Sequence, residues 1–260
     1  VPSASINVTS LPPECSKANM PVKNPGKLII GVANLATPPW FADNKPENGQ
    51  GFEAAIALAV ADKLGFTPAD VTWVKTTPEK ATAAGLKEFD FGIGQLAFTD
   101  ANREKVDLTG PYLNVPEVIV ALKTSTIANA TNFGPLKTAR LGAQLNTDSY
   151  KMITDVIGPE TPPTAFQTSA EATKALQEGS VDGLVVDLAT GFRLAAKIKG
   201  AKVVGQLPLA VAKPTQFALA MEKGSPTTRC FSLTVEALRA AKTLDQLEQQ
   251  WLVQAAPKLA

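Results

Sequence analysis

EFDFGIGQLAFTDANREKVDLTGPY, residues 88–112, is the stretch from which the architecture of this chain is read. Phe89 to Ile93 reads as a buried strand ending in a glycine-bracketed turn, and a polar run starts where the strand stops. Open α/β sheets place their ligands at such strand ends. Arg103 stands near the centre of the run. Its guanidinium is a planar fork of donors matched to a carboxylate and keeps its charge at any ordinary pH, so it is expected to anchor an anionic group. The plainer alternative is a solvated arginine in a charged turn beside Glu104 and Lys105.

Upstream, KLIIGVANLATPPW from Lys27 gives a short β-branched run followed by a proline turn at Pro38 and Pro39. FEAAIALAVADKLG (Phe52 to Gly65) reads as an amphipathic helix stopped by glycine. VTWVKT (Val71 to Thr76) is a second strand, and TPEKATAAGLKE opens on a helix N-terminal signal, predicting a helix to about Glu88. Strands separated by helices imply a doubly wound parallel sheet, because parallel neighbours need helical crossovers. Downstream the order recurs. EVIVALK (Glu117 to Lys123), RLGAQ, PTAFQT, VDGLVVD (Val181 to Asp187) and KVVGQ read as strands, with helices over about Thr147 to Ile157, SAEATKALQEGS and LATGFRLAAKIKG. QFALAMEKG (Gln216 to Gly224) is a further strand, and two helices close the chain.

The predicted fold class is therefore α/β, with two doubly wound α/β lobes joined by a two-crossing hinge and a ligand cleft between them. The expected divisions are an N-terminal tail over 1–26, lobe 1 over 27–115 and 214–260, and lobe 2 over 116–213. The polar, proline-rich opening reads as a flexible tether.

A net charge of +1 over 260 residues gives no electrostatic case for nucleic acid or an anionic membrane as partner. The absence of histidine removes the commonest general acid/base and the commonest metal ligand; no metal or cofactor is expected. No apolar run is long enough to span a membrane, and no signal peptide is visible, so a trimmed chain is expected, with any lipid anchor preceding Val1. Cys15 and Cys230, 215 positions apart, are either separate buried thiols or a disulfide stapling the tail to a late helix. The disulfide is favoured, since an untethered tail gains most from a staple. Two sequons, at Asn7 and Asn129, are read as chance occurrences.

KLIIGVAN…PPWF, GFEAAIALAVADKLG, TDANREKVDLTGPY, RLGAQLNTDS, VDGLVVD, FALAMEKGSP and EALRAAKTLDQLEQQWL fall in one order from about Lys27 to Leu252. In that order they resemble the periplasmic-type (type II) solute-binding proteins that deliver polar amino acids to ABC transporters. The resemblance implies that Arg103 grips an α-carboxylate and that Asp187, at the tip of its strand, holds the α-amino group, beside its alternative role as the cap of the next helix. It also implies backbone donors at Asn146, Thr147 and Asp148, where a helix N-terminus faces the carboxylate, with Asp148 turning its own carboxylate aside to cap that helix. From lobe 1, backbone donors and acceptors are expected at Gln95 and Ala97. Ala97 stands where the family often has a hydroxyl, and Thr37, with Asn34 upstream, where it often has an aromatic cover. Trp40 or Phe41 could supply that cover, although their simpler reading is core.

The resemblance implies a monomeric, non-enzymatic extracytoplasmic binding protein, periplasmic or tethered to the outer face of the cell membrane. It would close on a free amino acid and present it to a membrane permease. Asn34, Gln95 and Asn146 suggest a polar, uncharged side chain for the ligand. A lyase or dehydratase-type enzyme on the same fold, or a sensing module, is the alternative; an enzyme would need its acid and base from Asp, Glu or Lys.

Overall fold

The computed structural model describes residues 10–33, 38–209 and 214–260. In chain order, β1 (Leu28–Val32) leads through α1 (Phe52–Lys63) to β2 (Val71–Lys75), α2 (Pro78–Thr82), β3 (Phe91–Ile93), α3 (Asp100–Lys105), β4 (Asp107–Leu108) and β5 (Leu113–Asn114). The middle of the chain holds β6 (Glu117–Leu122), α4 (Gly134–Lys137), β7 (Leu141–Gln144), α5 (Asp148–Met152), β8 (Thr164–Phe166), α6 (Ser169–Gln177), β9 (Gly183–Asp187), α7 (Leu188–Lys197) and β10 (Ala201–Gln206). The return consists of β11 (Gln216–Phe217), β12 (Ala220–Met221), α8 (Thr228–Ala240) and α9 (Thr243–Glu248).

The chain forms two compact α/β units, 1–114 with 216–251 and 115–215 with 252–260. Besides the two passages between units that an inserted lobe requires, a third falls at Trp251–Leu252. The sequence pattern assigns everything after residue 213 to the first lobe, and residues 252–260 depart from that assignment. They do so because Gln206 donates its N–H to Pro257 and accepts that of Leu259, while Ala260 donates to Thr131, so residues 257–260 lie along β10.

In the first unit the sheet order is β2-β1-β3-β12-β4. The three strands joined by helical crossovers are parallel, as expected. β12 and β4 are antiparallel additions, so the sheet is mixed and not wholly parallel. β12 enters from the returning chain, and an apolar strand pattern carries no direction that could have announced it. The helix α1 is not amphipathic as expected. It is buried nearly all round, with only Asp62 and Lys63 of its length exposed. It lies against α8 and α9, which leaves it little solvent face to mark with polar side chains.

α2 ends at Thr82, well short of the predicted Glu88. Gly85 takes φ 105°, a conformation outside any right-handed helix, and the buried Lys87 ammonium turns back to donate to the carbonyls of Lys80 and Ala83.

The tail is tied down from Cys15 onward. Cys15 is disulfide-bonded to Cys230 of α8, and next to it Glu14 pairs with Arg229 at 2.6 Å. Lys17 pairs with Asp70 at 2.7 Å and donates its backbone N–H to Leu64. Asp90 accepts the N–H groups of both Lys23 and Ile29 at 2.8 Å, stapling the tail to the start of β1. A polar composition suggests a loose tether, and a few specific partners make it a docked strap. Residues 1–9 lie outside the described residues.

In the second unit the order is β10-β6-β9-β7-β8. β7, β8 and β9 run parallel, and β6 is antiparallel to both β9 and β10. Ile119, Ala143, Ile153 and Val185 are among the side chains that fill its core. Among the described residues no helix is long and apolar enough to cross a membrane.

Candidate functional site

The loop expected to meet a ligand in the first unit begins where β3 ends. Gly94 has φ 135°, and a Cβ there would lie 2.3 Å from the Ala33 carbonyl oxygen, so only glycine fits. Gln95 follows at φ 59°, left-handed without being glycine. The loop then lies against the returning chain. Leu96 accepts the N–H of Ala218 at 3.0 Å and Phe98 donates to Gln216 at 2.8 Å, so Ala97 is bridged to Phe217. In an antiparallel pair of this kind the middle residue's own N–H and C=O point away from the partner. The Ala97 carbonyl accepts the side-chain amide of Asn102 at 2.8 Å.

Thr99 caps α3, accepting the N–H of Asn102. The cap sets the helix start, and Arg103 sits one turn in, its guanidinium 5.4 Å from the centre of the Phe98 ring. Its side chain is 58% exposed and its ion pair, 3.6 Å to the almost wholly exposed Asp100, is of the kind that contributes little. The guanidinium lies over the Phe98 ring in a cation–π contact while more than half of the side chain stays exposed.

Two expectations for the first unit fail. The backbone N–H of Gln95 does not serve a ligand, because the left-handed turn directs it inward to Glu53 Oε1 at 2.7 Å. Trp40 is fully buried, edge-on to Phe52 and Phe217 with ring centres 5.9 Å away in each case, which makes it core and not a cover. Phe41 is fully buried as well. Asn34 and Thr37 lie outside the described residues.

In the second unit, Asp187 ends β9 and caps α7, its Oδ1 accepting the N–H of Thr190 at 2.9 Å. The helix thus holds the carboxylate at the strand tip. Asp187 lines a cavity of about 130 Å³ together with Gln144, Thr147, Ser149, Ser169 and Thr190, so Thr147 and Asp187 meet at one hollow. Asn146 is exposed in a left-handed turn at φ 62°. Asp148 does not cap its own helix as expected. The cap is Thr147, whose hydroxyl accepts from Tyr150 N–H and donates to Gln144 at 2.6 Å. Asp148 stands one position too late for that role and is exposed at the first helical position, where its charge suits the helix N-terminus. The α-helical part of that element is only five residues long before a wider turn over Ile153–Ile157.

Sequence reasoning passes over Glu117. It lies directly opposite Asp187 in the β6–β9 pairing, and its Oε2 accepts the Ser149 hydroxyl at 2.6 Å. Burial, and then the like charges of Asp187 and Asp148, push its carboxyl up to about 7. Glu53 is missed in the same way. In both cases the signal is present as an acid heading an otherwise apolar run, GFEAAIALAV and EVIVAL. Among the described residues no group of His, Cys, Asp and Glu is arranged to hold a metal ion.

Residues 28–254 match the family described as bacterial extracellular solute-binding proteins, family 3, and the chain belongs to that family. It is 21% identical over 236 residues to a probable histidine-binding protein of Neisseria gonorrhoeae, an alignment covering 88% of this chain and 85% of the relative. A probable amino-acid ABC transporter periplasmic-binding protein of Sinorhizobium fredii is 26% identical over 182 residues, 68% of this chain and 58% of the relative. Among solved structures, an ancestral arginine-binding protein bound to glutamine superposes with a TM-score of 0.51 at 25% identity, covering 87% of this chain and 97% of the other.

Proposed function

We propose that this protein binds a free amino acid outside the cytoplasm and hands it to the membrane permease of an ABC importer, without chemical turnover. The observation that carries the reading is the family match, which runs through both units from residue 28 to residue 254. The relatives whose names give them as histidine-binding, arginine-binding and part of an amino-acid transporter supply the ligand class. The disulfide fits an oxidising compartment.

In this reading Arg103 and the Ala97 N–H of the first unit take the ligand's carboxylate, and Asp187 of the second takes its ammonium. Charge-assisted hydrogen bonds of this kind are short and strong. Thr147 and the exposed amides around Asn146 and Asp148 complete the second unit's contribution.

A thermal-shift screen of the twenty amino acids tests the reading, since a specific ligand raises Tm by mass action. At least one amino acid is expected to raise it. Calorimetry on Arg103→Ala should then show affinity reduced by about a hundredfold or more, with the ligand-free Tm unchanged. Unaltered affinity in that variant removes Arg103 from the site, and turnover of the bound ligand overturns the assignment as a binding protein.

A further inference from the structure

Glu53 is wholly buried near the start of α1, and none of the proposed ligand contacts uses it. Its Oε1 accepts both the Gln95 backbone N–H, at 2.7 Å, and the Tyr112 hydroxyl, while its Oε2 is buried with no hydrogen-bond partner. A lone buried acid with one oxygen unsatisfied is costly, and such groups persist where they hold something in place. What Glu53 holds is a turn in a sparsely populated conformation, Gly94 and Gln95 both at positive φ.

The same carboxylate reaches the strands where the chain passes between units. Tyr112 donates its backbone N–H to Phe217 at 2.8 Å, Leu113 pairs with Phe217, and Asn114 pairs with Gln216. Phe217 is also the residue bridged to Ala97, and Gln216 accepts the N–H of Phe98. The ligand loop, β11 and β5 therefore form one hydrogen-bonded ribbon, and Glu53 clamps it at two points, Gln95 and Tyr112.

We propose that Glu53 is a positioning residue for ligand binding: it fixes the turn that presents the Ala97 amide and ties that turn to the strands at the first two passages between units. The inference rests on the amino-acid reading of the site. It adds a dependence on pH. Burial raises the Glu53 carboxyl to about 7, opposed by its two hydrogen bonds. Among the described residues the ionisable group acting on it is the Tyr112 hydroxyl, itself pushed well above its ordinary range. Below pH 7 Glu53 is neutral. Above it, an unpaired negative charge lies beneath the turn that must receive the ligand's carboxylate, so affinity is full on the acid side and falls as pH rises through about 7.

The test is the Tm shift given by an equimolar mixture of the twenty L-amino acids, measured from about pH 6 to about pH 8 on the wild type, Glu53→Gln and Glu53→Ala. The wild-type shift should shrink across that range relative to Glu53→Gln, a comparison in which titration of the mixture itself cancels. Glu53→Ala should weaken binding by about tenfold, and Glu53→Gln, which keeps an acceptor for Gln95, should recover most of it. A Glu53→Gln profile that falls in parallel with the wild type overturns the proposal, as does a folded Glu53→Ala with wild-type binding. If Glu53→Ala does not fold, the Glu53→Gln profile decides alone. A wild type that shifts at no pH refutes the amino-acid reading itself, and with it the positioning role; a wild type that shifts with variants unaffected refutes only the latter.

Discussion

Each unit holds one glutamate beside its proposed ligand residues, wholly buried in the first and partly buried in the second, and both carboxyls are pushed up to about 7, yet for different reasons. Glu53 in the first unit is raised by burial alone, and both of its hydrogen bonds act against the shift. Glu117 in the second is raised by burial and then by the charges of Asp187 and Asp148, with the Ser149 hydroxyl opposing. The difference is one of neighbourhood. Glu53 is a mechanical part, gripping two donors with one oxygen, whereas Glu117 belongs to an electrostatic group whose members feel one another. Equal pKa values therefore say little until their causes are separated.

The comparison breaks most visibly on truncation. Glu53→Ala orphans a buried backbone N–H and a buried phenol and should cost about 4 kcal/mol in chemical denaturation. Glu117→Ala, which frees only a serine hydroxyl near solvent, should cost about 1 kcal/mol. Equal losses would show that Glu53 is not gripping its partners.

The next effect concerns pH. Each acid binds its proton more tightly when folded than when unfolded, so each lowers stability as pH rises from about 4.5 to about 7, with no further change above. Glu53→Gln removes one such contribution. Its stability relative to the wild type should therefore rise with pH over that window, by on the order of 3 kcal/mol in total, and stay level at higher pH. A flat difference would mean that Glu53 titrates at its ordinary value.

A smaller effect separates the two directly. Asp187→Asn should lower the Glu117 titration midpoint, followed by NMR, and leave that of Glu53 in place. High salt should act the same way, since it screens the charges around Glu117, whereas among the described residues no charge acts on Glu53. Movement of both midpoints would merge the two cases.

Much of the fold is legible in the sequence because apolar runs and helix caps report local structure. VDGLVVD followed by LATGFRLAAKIKG gives β9 and α7, and the helix expected from about Thr147 starts there in the structure, whereas the polar run does not announce α3 behind its Thr99 cap. Strand direction is not legible, because β12 and β10 look the same whichever way they run. Nor is the length of α2, which depends on a distant lysine folding back. Of the proposed ligand residues, Arg103 can be singled out by its place after a strand and Asp187 by the family resemblance. Glu53 and Glu117 cannot, since an acid in an apolar run reveals its burial only when its neighbours are known. Gln95 shows the same limit: its side chain suggests a ligand contact, while its backbone faces the interior.

Residues 252–260 carry one more implication. Leu259 is buried beside Gly205, where a Cβ would come within 2.7 Å of it, so this short segment acts as the outer edge of the second lobe although the helices just before it complete the first. A nascent chain thus completes its first lobe at Trp251 and its second only once Leu259 has been made. A purification handle fused directly after Ala260, or a clip at Leu252, would accordingly disturb the half of the molecule that holds Asp187 and leave the half that holds Arg103 largely as it was.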